Sequence, residues 1–131
     1  MLGSSELVAF VATTDIDRAL VFYRDTLGLS LVEQGPFACV FDAHGTQLRV
    51  TPVGDIRTAP YTVLGWTVDD IGASVQALGA AGVRFERFEE VEQDGAGVWT
   101  APNGARVAWF ADPDGNVLSL TQSAALSGGA S

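Results

Sequence analysis

The sequence predicts an α+β fold, two tandem βαβββ modules forming a curved sheet cup, and three observations carry that reading. The apolar set Ile16, Ala19, Leu20 and Tyr23 recurs as Ile71, Ser74, Val75 and Leu78. Each set follows an acidic residue (Asp15, Asp70) and ends near a glycine (Gly28, Gly82). Finally, Phe41-Asp-Ala-His-Gly-Thr-Gln-Leu-Arg-Val-Thr51 returns as Phe110-Ala-Asp-Pro-Asp-Gly-Asn-Val-Leu-Ser-Leu-Thr121, with one residue added in the turn. Two copies of one supersecondary unit suggest a pseudo-twofold scaffold with a cleft between its halves.

The first module spans about residues 5–52. Glu6 to Thr13 is apolar and β-prone, and reads as its opening strand. Asp15 starts a helix, where acidic side chains complement the helix dipole. Ile16, Ala19, Leu20, Tyr23 and Leu27 then fall on one apolar face at helical spacing, and Gly28 supplies a left-handed C-cap. Three strands follow near Ser30–Gly35, Phe37–Ala43 and Thr46–Pro52, the last two joined by a tight turn at His44-Gly45.

Residues 53–60 combine proline, glycine and polar side chains and read as a connector. The second module, about 61–122, opens with a strand at Tyr61–Val68. Asp69 and Asp70 start its helix, with Ile71, Val75 and Leu78 turned inward and Gly82 at the end. Strands are expected at Val83–Phe88, Ala105–Ala111 and Asn116–Thr121, the last pair flanking the turn Asp112-Pro-Asp-Gly-Asn116. Glu89 to Gly104 reads as an inserted loop carrying Trp99. The tail, 123–131, is rich in Ala, Ser and Gly and is expected to be disordered.

The paired units, ending in Trp109-Phe110-Ala-Asp-Pro-Asp-Gly-Asn116, resemble the vicinal oxygen chelate superfamily, which includes glyoxalases, ring-cleaving dioxygenases and bleomycin-type antibiotic-binding proteins. Thr14-Asp-Ile-Asp-Arg18, continuing through Phe22-Tyr23-Arg24 to Leu27-Gly28-Leu29, is similar to the same group. The resemblance spans roughly residues 5–122. It implies one divalent metal in the cup, held by His, Glu or Gln from the first and last strands of each module. Carried across residue by residue, those positions fall on Val8 and Arg49, then on Val63 and Ser119. Two valines, a cation and a hydroxyl cannot supply converging N or O donors. A one-residue slip substitutes Ala9 or Phe10, Leu48 or Val50, and Leu118 or Leu120, which is no better. No metal site and no cofactor are therefore expected.

Size and composition set the remaining bounds. A chain of 131 residues with 47% apolar content fits one compact domain. Its single cysteine, Cys39, suits a reducing compartment. The apolar run Leu7 to Ala12 is too short for a membrane span and lacks basic residues before it, so a cytoplasmic protein is expected. Formal net charge is −9, and all seven cations are arginines. That field repels phosphate backbones and anionic lipid, so neither nucleic acid nor membrane is expected as a partner. Without lysine there is no Schiff-base or P-loop chemistry.

Other catalytic sets are short of members. His44 is the only histidine and reads as an exposed turn residue. Cys39 lies mid-strand and reads as a buried, inert thiol. Asp112-Pro-Asp-Gly lacks the glycine and glutamate spacing of a calcium loop. Glu86, Glu89, Glu90, Glu92 and Asp94 read as a solvated acidic edge. No catalytic residue is assigned.

Strand alternation gives the expected lining of the cup. Phe10, Gln47, Arg49 and Ser119 face inward, while Leu48, Val50, Leu118 and Leu120 pack on helices. Arg49 reads either as an anchor for a carboxylate or planar ring, or as a surface arginine on an open strand. Trp66 falls on the helix side, and Trp99 is the candidate for stacking on a ligand. The expected partner is a small, partly aromatic molecule, with the protein acting as a homodimer. The competing readings are a superfamily enzyme (lyase, isomerase or dioxygenase) with a non-standard or metal-independent site, and an interaction module that only dimerises.

Overall fold

Asp15 and Asp70 cap the two helices, as the sequence predicts. In the computed structural model, which describes residues 1–124, each accepts a 3.1 Å hydrogen bond from the backbone N–H three residues on. Two units result, Met1–Thr58 with Asp112–Asp114, and Ala59–Ala111 with residues 115–124. Beyond Ala124, the tail expected to be disordered lies outside the described residues.

The first unit begins with a short 3-10 turn, Leu2–Ser4, and strand β1, Val8–Thr13. Helix α1, Ile16–Val21, passes directly into a π-helical segment, Phe22–Thr26. The widened turn is closed by Leu27 N–H donating to Phe22 O at 2.9 Å, and Gly28 ends it at φ 79°. Strands β2 (Ser30–Gln34), β3 (Cys39–Ala43) and β4 (Thr46–Pro52) complete a sheet in the order β1-β4-β3-β2, with β1 and β4 parallel. β3 starts two residues later than expected because Gly35 N–H bonds to Ala38 O, closing a turn that leaves Phe37 exposed. The β3–β4 turn has positive φ at both His44 (52°) and Gly45 (93°), as a two-residue hairpin requires.

Alternation in this sheet separates its faces. Val11 and Thr13 of β1, Cys39 and Phe41 of β3, and Leu48 and Val50 of β4 are buried. With Ala19, Leu20 and Tyr23 they make the core, Tyr23 lying 6.1 Å from Phe41 between ring centroids. On the opposite face Val8, Phe10 and Gln47 are exposed and Val40 is buried.

The second unit contains β5 (Thr62–Thr67), α2 (Ile71–Ala80), β6 (Trp99–Thr100), β7 (Arg106–Ala111) and β8 (Val117–Gln122). Its sheet runs β5-β8-β7-β6, with β5 and β8 parallel. Ile71 and Val75 bury against Ala108, Phe110, Leu118 and Leu120. The Gln122 carboxamide adds a second cap to α2, accepting from Ile71 N–H at 2.8 Å.

Two expectations for this unit are corrected. Val83–Phe88 is not a strand: Phe85 makes one isolated bridge to Phe110, and Glu86 N–H donates to Trp109 O at 2.7 Å. Beyond that point side chains occupy the backbone groups that a ladder would use. The Gln93 carboxamide donates to Glu86 O and Gly97 O and accepts from Phe88 N–H, while Arg87 donates to the carbonyls of Asp94 and Gly95. The fourth strand is instead β6, so Trp99 belongs to the sheet and not to an inserted loop. Among the described residues no helix is long and apolar enough to cross a membrane.

Candidate functional site

The open face of the first sheet is built in cross-strand rows. Val8, Gln47 and Asp42 share one row, and Phe10, Arg49 and Val40 share the next. The sequence reading thus placed Phe10, Gln47 and Arg49 on one surface, and the sheet brings all three together. Phe10 is 63% exposed, a large apolar area with no cover in this unit. Beside the rows lies a hollow of about 230 Å³, lined by Glu6, Val8, Val32, Val40, Asp42 and Gln47 among others.

Arg49 is partly buried in the middle strand. Among the described residues no ion pair or side-chain hydrogen bond engages its guanidinium. Other arginines are either exposed or bound: Arg18 to Asp114, Arg24 to Asp25, Arg106 to Asp94, and Arg87 to carbonyls.

The second sheet presents a different face, on which Gly65 and Thr67 are exposed and Ser119 is buried. Gly65, Ser119 and Trp109 are cross-strand partners, with Thr67, Thr121, Val107 and Trp99 in the following row. A Cβ at Gly65 would stand 2.8 Å from Ser119 Oγ, so the glycine makes room for that hydroxyl. Trp109 packs between two rings, 5.4 Å from Phe88 and 6.1 Å from Trp99. Of the expected lining, Ser119 and Trp99 are both on this sheet. Trp66 is partly buried.

A family model described as the Glyoxalase/Bleomycin resistance protein/Dioxygenase superfamily matches residues 7–120. The chain belongs to this superfamily. Solved structures agree on the fold. A superfamily member from Sphaerobacter thermophilus aligns with a TM-score of 0.72 at 24% identity, over 94% of this chain and 100% of that one. A lactoylglutathione lyase from Agrobacterium tumefaciens gives 0.70 at 20% identity, over 92% and 94%. TioX from Micromonospora sp. ML1 gives 0.68 at 22% identity, over 91% and 98%. No curated protein matches the chain.

The glyoxalase-type metal implied by the resemblance does not fit the residues present. In the first unit, Val8 has no donor and Arg49 is a cation. In the second, Val63 sits where strand pairing shifts between Thr62 and Leu64, and Ser119 offers only a neutral hydroxyl. Among the described residues, no group of three or more His, Cys, Asp or Glu is placed to hold a metal ion. Lewis-acid chemistry needs several such donors converging on one point.

Carboxylates of the superfamily-like Asp-Pro-Asp-Gly turn do something the sequence reading missed. Asp114, whose side chain is 1% exposed, accepts from Thr13 Oγ1, from Thr14 N–H at 2.9 Å, from Thr14 Oγ1 at 2.7 Å and from Arg18 at 3.1 Å. Burial alone would raise this carboxyl, but the Thr13 and Thr14 hydrogen bonds and the Arg18 charge outweigh it and hold the pKa below the ordinary value. Asp112 accepts from the Tyr23 hydroxyl and from Asp114 N–H. Both aspartates are thus spent on structure. His44 is exposed in its turn. Cys39 is buried, and desolvation, with a smaller push from Asp17, raises its thiol pKa and disfavours thiolate. Gly65 was read as facing into the cup, and Trp109 is the residue of this face that the sequence reading did not assign to it. Alternation with buried Ala108 and Phe110 was the available signal for Trp109.

Proposed function

We propose that this superfamily member is a metal-free, bleomycin-resistance-like protein that binds a small, partly aromatic organic ligand. Arg49 carries the reading. A guanidinium withdrawn partway into a sheet face beside Phe10 and Val40, with no carboxylate engaging it among the described residues, is held ready for an outside acceptor or a planar group. Phe10 and Gln47 flank it with apolar surface and a carboxamide, the usual makeup of a small-molecule site. On the second sheet, Ser119 and Trp99 offer a hydroxyl and a ring of the same kind. The lyase named among the fold neighbours is the competing precedent; the valines at two metal positions favour binding over that chemistry. A cytoplasmic homodimer completes the proposal, supported by the buried free thiol and by Val32 and Phe37 exposed on and beside the edge strand β2.

The test pairs metal analysis with ligand binding. Protein purified without chelators should carry no stoichiometric divalent metal. Benzoate or naphthoate should raise its melting temperature, because a ligand bound only to the folded state stabilises it. Arg49→Ala should weaken binding by about ten-fold, the loss expected for a charge-assisted hydrogen bond. Stoichiometric metal overturns the metal-free part, and unchanged affinity in Arg49→Ala overturns the assignment of the anchor.

A further inference from the structure

We propose a second site, in the second unit: the hollow beside Trp99 binds an organic cation of the quaternary ammonium type. The hollow measures about 330 Å³ and is lined by Glu92, Gln93, Asp94, Val98, Trp99 and Thr100. Its aromatic wall is fixed in advance. Trp99 is tied into the sheet through Val107 and lies 6.1 Å from Trp109 at an interplanar angle of 32°. An indole braced in this way loses little side-chain freedom when a cation settles on its face.

The polar groups select the charge. Gln93 has no donor to spare, because its carboxamide is committed to Glu86 O, Gly97 O and Phe88 N–H. The Arg87 guanidinium is turned onto the carbonyls of Asp94 and Gly95. Asp94 points one oxygen at the N–H groups of Ala96 and Val98 and leaves the other 4.0 Å from Arg106, a loose pairing. Glu92 is exposed and has no partner among the described residues. An anion would meet two carboxylates here, opposed only by the neutral Thr100 hydroxyl and Trp99 indole N–H. A ligand that relies on hydrogen bonds would meet a committed amide. A cation that needs no directed hydrogen bond meets two carboxylates and the Trp99 side chain, with Arg106 only loosely paired to Asp94.

This site shares Trp99 with the proposed ligand-binding surface, but it lies in the other unit from Arg49 and has the opposite charge preference, so the Arg49→Ala result neither supports nor overturns it. Choline is the probe, and its uncharged tert-butyl isostere is the control for size and apolar contact. Calorimetric titration of the full chain should give saturable binding of choline and none of the isostere. Glu92→Gln and Trp99→Leu should each weaken choline by about five-fold, the scale of a partly exposed cation–π or carboxylate contact. Glu89→Gln removes an equal charge from outside the hollow and should leave the affinity unchanged. The proposal is overturned by equal binding of the isostere, by an absence of saturation with choline, or by Glu89→Gln weakening binding as much as Glu92→Gln. The last outcome would mean a diffuse acidic field and no site. Because Glu92 is exposed, its variant reports on binding even if Trp99→Leu fails to fold.

Discussion

The Tyr23 hydroxyl donates a 2.7 Å hydrogen bond to Oδ2 of Asp112, across 89 positions of sequence and with both residues buried. Burial, reinforced by the neighbouring Asp112 carboxylate, pushes the phenol far above its ordinary pKa, so it stays a donor at any workable pH. Tyr23→Phe keeps the ring packing and deletes only the donor. It should cost about 2 kcal/mol, the scale of a hydrogen bond to a charged group, read as a lower midpoint in urea at unchanged slope. A change under 0.5 kcal/mol would show that Asp112 finds an equivalent partner.

Asp114 sets an acid limit on stability. Its folded pKa lies below the value near 3.9 expected of the unfolded chain. Its contribution is therefore present above the unfolded pKa and is lost as pH falls through the folded one. Asp114→Asn should be less stable than the parent at pH 7, and the gap should narrow as pH falls below about 4. Parallel stability curves for the two proteins down to acid would contradict this.

Gly65 and Ser119 should behave as a coupled pair. Gly65→Ala places a methyl 2.8 Å from Ser119 Oγ and 3.4 Å from Ser119 O, which should destabilise by about 1–2 kcal/mol through overpacking. Adding Ser119→Ala removes the nearer clash and should recover most of that loss. A double-mutant cycle measures the coupling, and strict additivity would mean the sheet shifts to absorb the methyl.

Gln93 acts as a staple for the segment preceding β6. Gln93→Ala frees Phe88 N–H, Glu86 O and Gly97 O together, and should speed amide hydrogen exchange selectively over residues 86–98. Exchange in β7 and β8 should stay slow. Uniform acceleration throughout the second unit would show that the staple is needed for the whole sheet.

What was legible in the sequence follows physical locality. β4 matches its expected span at both ends, because Leu48 and Val50 alternate against polar neighbours and a His-Gly turn fixes the register. Both helix starts were readable from capping aspartates within one turn. Val83–Phe88 looked like a strand for the same local reasons. What ended it was a glutamine five residues beyond, whose choice of three backbone partners has no periodic signature. The π-helical widening at Phe22–Thr26 was likewise invisible, since the apolar spacing through Tyr23 and Leu27 suits either helix. At the site, Arg49 came from the position the superfamily resemblance implies, and alternation from Val8 and Arg49 added Phe10 and Gln47. That no ion pair engages Arg49 among the described residues is a matter of tertiary geometry, which no linear pattern states.

The sealed position of Cys39, 1% exposed at the start of β3, has a practical consequence. With its own sulfur shielded, the wild-type chain should ignore maleimide reagents while folded. A cysteine introduced at position 92 or 10 would then take a fluorophore or spin label at one place only, with no need to remove the native residue first.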